Sequence, residues 1–66
     1  MQFKITYVRP GQRRFSSGWT KAESAGYRET LLYTYEDKGF KSTKLEENKI
    51  ILSHSDLGVR VIEFKD

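Results

Sequence analysis

Cysteine is absent from this 66-residue chain, histidine, proline and tryptophan occur once each, and no acid stands among residues 1–20. Without cysteine there is neither a disulfide staple nor a thiolate for metal or redox chemistry. A metal site needs three or four convergent ligands, and one histidine leaves only carboxylates to supply them, so no metal or cofactor is expected. No apolar run approaches the roughly 20 residues of a bilayer span, which argues against a membrane partner. Gly11 and Gly18 are too widely spaced for a phosphate-cradling loop, and no Gly-Lys-Ser/Thr follows them. The segment Met1-Gln2-Phe3-Lys4-Ile5 has no apolar block ending in small residues, so it does not read as a signal peptide, and a cytoplasmic location is expected.

What is present describes one small domain over residues 1–66. A chain of this length buries about 60% of the surface its unfolded form exposes, enough for one thin core. The 36% hydrophobic and 32% charged content, with plentiful aromatic and β-branched residues, separates it from disordered chains.

Met1, Phe3, Ile5 and Tyr7 alternate with Gln2, Lys4 and Thr6, the period-2 pattern of a half-buried strand. Arg9-Pro10-Gly11-Gln12 carries type II turn chemistry, with proline second and glycine third. Arg13, Phe15 and Ser17 then suggest a short return strand and an amino-terminal hairpin, the alternative being a plain loop at Ser16-Ser17-Gly18. Thr20-Lys21-Ala22-Glu23 matches a capping box, which predicts a helix from Lys21 to Lys38, with Gly39 as its αL cap. Its inward arc would hold Ser24, Ala25, Arg28, Leu31, Leu32 and Tyr35, with Arg28 snorkelling or paired to an acid. Strands follow at Phe40–Leu45, Lys49–Ser53 and Val59–Lys65, joined by turns short enough to require an antiparallel meander. The expectation is an α+β fold: one helix packed on a four- or five-stranded, mainly antiparallel sheet, in the order β(β)αβββ.

Neither parity of the last two strands is cleanly polar, and one helix covers only one face. Either a bulge switches parity midway, or Ile51, Val59 and Val61 lie on an uncovered face that can meet a protein partner or a second copy, or tolerate exposure as good strand formers.

The chemistry-bearing residues are few. Ser53-His54-Ser55-Asp56 contains the residue types of a hydrolytic triad, but consecutive residues point in diverging directions and cannot converge on one reacting atom. They read as the start of a turn, and Glu29 and Glu36 as a solvated helix face. No catalytic residues are assigned, and an enzyme is not expected.

The charge is distributed unevenly. Lys4, Arg9, Arg13 and Arg14 give residues 1–20 a balance of +4 against +3 for the whole chain. Arginines interleaved with turn residues and the rings of Phe15 and Trp19 suit an anionic partner, through forked bonds to phosphate and stacking on unpaired bases. The candidate site is therefore Arg9, Arg13, Arg14, Phe15, Trp19 and Lys4, and nucleic acid or another polyanion is the expected partner. The alternative is a protein-interaction or regulatory module, for which the four tyrosines, Trp19 and the arginines are also suited. The chain carries neither the aromatic strand signature of the RNA-recognition motif, nor a Gly-x-x-Gly loop, nor a helix-turn-helix pair.

Overall fold

The alternating amino-terminal segment forms β1 (Gln2–Val8), placed by its inward Phe3 and Ile5 inside the sheet rather than at its edge. A computed structural model describes residues 1–66. After β1 the Gln12 N–H donates to the Arg9 carbonyl at 3.1 Å, with Gly11 at φ +70°, as the turn chemistry requires. The chain returns as β2 (Phe15–Ser16), which sets Phe15 opposite Tyr7 and completes the expected hairpin.

The return strand is interrupted and then resumes along the same neighbour as β3 (Thr20–Lys21), with Thr20 opposite Phe3. Between the two stubs Ser17 holds the ladder. Its N–H donates to the Ile5 carbonyl at 2.9 Å, and its Oγ accepts from the Ile5 N–H at 3.1 Å.

This pairing overturns the expected helix start. The helix α1 spans Tyr27–Asp37 rather than beginning at Lys21, and no side chain caps its first turn. Thr20 and Lys21 are strand residues instead, and the Ala22 N–H donates to the Met1 carbonyl at 2.9 Å while the Ala22 side chain joins the core. Ladder bonds plus apolar burial outweigh a cap worth about 1 kcal/mol. The far end of the helix matches expectation, stopping just before Gly39.

Tyr27, Leu31 and Tyr35 recur every four residues and lay α1 on the sheet. The Tyr27 ring lies 5.1 Å from that of Phe3, and Tyr35 meets Phe40 edge-on at 5.1 Å. Arg28 sits at the margin of this stripe. It donates to the Glu46 carbonyl at 2.6 Å and approaches Glu29 Oε1 at 3.4 Å.

The meander β4 (Lys41–Leu45), β5 (Lys49–His54) and β6 (Gly58–Lys65) completes one antiparallel sheet in the order β2-β1-β6-β5-β4, with β3 also on β1. The α+β architecture expected from the pattern is thus present, with one extra two-residue strand. The register of β6 against both β1 and β5 is unbroken, and the one bulge lies in β4 between Ser42 and Lys44. No parity switch occurs in the apolar strands. Phe3, Ile5, Ile50, Leu52, Ile62 and Phe64 all face the helix, and Ile51, Val59 and Val61 all face the other way.

Candidate functional site

Arg9, Arg13 and Arg14 are exposed, and none joins the chain's ion pairs, which are Lys4–Glu63, Arg28–Glu29 and Lys44–Glu46. The proline–glycine turn brings Arg9 and Arg13 to one recess of about 320 Å³, lined by Tyr7, Arg9, Gln12, Arg13 and Phe15. No acid lines it. Its ring floor follows from register: Tyr7 and Phe15 are opposite partners, 5.9 Å apart, on the helix side of the sheet. The Arg9 guanidinium lies 5.5 Å from the Tyr7 ring centroid, a cation–π contact that steadies the fork while leaving its donors free. Phe15 keeps 62% of its surface exposed, enough to stack a planar ligand. Arg14 is on the same loop but outside the recess lining.

Trp19 and Lys4 are separated from this group. Thr20 shares the helix side with Phe3, so the preceding Trp19 falls on the opposite side of the sheet. There Lys4 Nζ and Lys65 Nζ lie 5.0 and 4.2 Å from the centre of its ring. Lys4 also approaches Glu63 Oε1 at 3.7 Å. The predicted residues therefore divide between two surfaces: Arg9, Arg13 and Phe15 by the recess, Trp19 and Lys4 on the back.

Behind the recess is a residue that sequence reasoning did not single out. Arg60 stands opposite Tyr7 in the ladder and is only 6% exposed, the one charged side chain inside the core. Its guanidinium lies 4.8 Å from the Tyr7 ring and 5.1 Å from the Phe40 ring. One terminal nitrogen donates to the Leu57 and Val59 carbonyls, both at 3.2 Å, while Nε is buried without a partner. It forms no ion pair, and it shares a second recess of about 360 Å³ with Arg9. Asp56 is the only acid in that lining. The signal was available in parity, since Arg60 alternates in phase with Ile62 and Phe64.

Tyr35 closes this cluster from the helix. Burial, and then the charge and hydroxyl of Tyr7, raise its pKa above the ordinary 10.0, against the lowering pull of Arg60. At neutral pH its hydroxyl is therefore firmly protonated.

The Ser53–Asp56 segment forms the turn expected of it. His54 Nδ1 accepts from the N–H groups of Asp56 and Leu57 at 3.0 and 3.1 Å, and its ring packs 5.1 Å from Phe40. Ser53 points to the other side of the sheet. The largest recess, about 570 Å³, lies between the chain termini and the β4–β5 turn. Its lining includes Glu46, Glu47 and Asp66, which suits an anion poorly.

Comparison with protein-family models, curated proteins and solved structures gives no match for this chain.

Proposed function

We propose that this protein is a non-enzymatic binding module that contacts nucleic acid, or a polyanion of similar charge density, through its basic amino-terminal turn. The observation that carries this reading is the recess around Arg9 and Arg13, floored by Tyr7 and Phe15, with no acid in its lining. Arg9, Arg13 and Arg14 take phosphate oxygens through forked bonds, and Phe15 stacks an unpaired base. The unneutralised Arg60 adds positive potential from behind without touching the ligand through its buried Nε. The acidic outer side of α1, with Glu29, Glu36 and Asp37 exposed, keeps the helix away from the strand.

The test is salt-titrated binding of short single- and double-stranded oligonucleotides. Three phosphate contacts, one for each exposed arginine, give a logarithmic salt slope of about −2 to −3, with single strands preferred because only they offer a free base face. Replacing Arg9, Arg13 and Arg14 together by alanine should abolish that binding. Affinity unchanged by the triple substitution would falsify the reading.

A further inference from the structure

The register of the sheet gathers lysines that the sequence scatters. Four rows of neighbours cross the side away from α1. They run Lys41–Ser53–Val59–Val8, then Lys44–Ile51–Val61–Thr6, then Lys49–Glu63–Lys4, and finally Lys65–Gln2–Lys21. The only lysine in the chain not on this face is Lys38, beside the helix end. Glu63 is the one strand acid among them and lies against Lys4, and Lys44 pairs at 3.1 Å with Glu46 of the following turn, which leaves Lys21, Lys41, Lys49 and Lys65 outside the chain's ion pairs. Inside the lysine border are Val8, Val59, Val61 and Ile51, all half-buried, with Trp19 at the corner under Lys4 and Lys65.

We propose that this bare face docks an acidic protein partner, through an amphipathic helical segment whose apolar stripe covers the valine–isoleucine centre and whose flanking carboxylates meet the lysines. The surface is independent of the arginine turn, which opens on the other side of the sheet. Three features select this occupant. An apolar centre ringed by polar charge is the anatomy of a protein interface. A second copy docking by the same face would set one lysine border against another, a like-charge juxtaposition that disfavours association. Nucleic acid would find phosphate partners in the lysines but no ring at the centre on which to stack, only β-branched side chains. A helix of about 18 residues, roughly 27 Å long, matches the eight-residue strand β6 along which it would lie, about 26 Å at 3.3 Å per residue. The face would then be covered as α1 covers the opposite one.

The probe is a synthetic peptide of about 18 residues with a leucine stripe flanked by glutamates, titrated into the isotope-labelled protein and followed by amide shifts and Trp19 fluorescence. Its counterpart with lysine at every glutamate position, and a short single-stranded oligonucleotide, serve as the other arms. The expected result is shifts centred on Thr6, Ile51, Val59 and Val61 with the glutamate peptide alone. Its affinity should fall about tenfold, a change of about 1.4 kcal/mol, in each of two folded variants, Val61→Thr and Lys44→Glu. Alanine at Arg9, Arg13 and Arg14 should leave peptide binding intact while removing oligonucleotide binding, so the two surfaces fail separately. Equal binding of the lysine peptide overturns the proposal, as does indifference to Val61→Thr. So do oligonucleotide shifts centred on this face, or a dimer in sedimentation that Lys44→Glu strengthens.

Discussion

The two sides of one sheet carry positive charge in opposite ways. Towards the helix two arginines are set against rings, Arg9 over Tyr7 and Arg60 between Tyr7 and Phe40, with Lys38 beside Tyr35 at the helix end. On the back they are lysines bordering a patch of valine and isoleucine, with a ring only at one corner. A planar guanidinium is weakly hydrated and stacks, so it can lean on aromatic carbon and even enter the core. An ammonium is a compact, strongly hydrated point charge and stays at the rim. Charge of one sign therefore makes two unlike surfaces, one suited to planar anions and bases, the other to carboxylates around an apolar stripe.

The comparison is broken most severely from inside. Ile62 has no exposed surface, while its neighbour Val61 stands half-buried on the back. Ile62→Ala should cost about 2–5 kcal/mol, most of the stability of a domain this size. Val61→Ala should cost about 1 kcal/mol or less. Chemical denaturation of both variants measures the gap, and equal losses would mean that the back is covered rather than bare.

Arg60 gives the next largest effect. Replacement by alanine removes its packing on Tyr7 and Phe40 and should destabilise by about 2–3 kcal/mol. Arg60→Met keeps the packing and deletes a buried charge with no acid partner, so stability should hold or rise. A methionine variant as unstable as the alanine one would show that the two carbonyl bonds outweigh the desolvation of the guanidinium.

A milder substitution separates charge from shape. Converting Arg9, Arg13 and Arg14 to lysine preserves net charge and should leave the melting temperature and salt slope nearly unchanged. Oligonucleotide affinity should still fall about three- to tenfold as forked geometry is lost. Undiminished affinity would reduce the turn to a simple charge cluster.

The smallest effect is in alkali. Because the folded state raises the Tyr35 pKa above 10.0, the unfolded chain loses that proton first. The stabilising contribution is complete below pH 10.0 and is lost as pH climbs through the folded value. Tyr35→Phe should flatten that part of the stability profile, measured by denaturation at stepped pH alongside tyrosinate absorbance.

How much of this was legible beforehand differs by element. Strong alternation in Met1–Tyr7 and the proline–glycine turn marked β1 and its hairpin, because both signals are local. The helix start is not legible in the sequence, for the converse reason. Thr20 to Glu23 satisfies a local capping pattern, yet its competitor was the edge of β1, far away in sequence. Parity in β5 and β6 stayed ambiguous because both faces are apolar, and only pairing with β1 decided which valines and isoleucines go under α1. The arginine turn was readable as a cluster along the chain. The lysine border was not, since its members run from Lys4 to Lys65 and become neighbours only through strand register.

The margins of the sheet have a consequence of their own. On one side the outer strand is two stubs parted by Ser17, Gly18 and Trp19; on the other, the bulge after Ser42 lies between Lys41 and Lys44. Neither border offers an incoming strand a long, flat row of unpaired amides, the template on which sheets polymerise into fibrils. A molecule built mostly of sheet thus presents little edge on which the strand of a neighbouring molecule could be added.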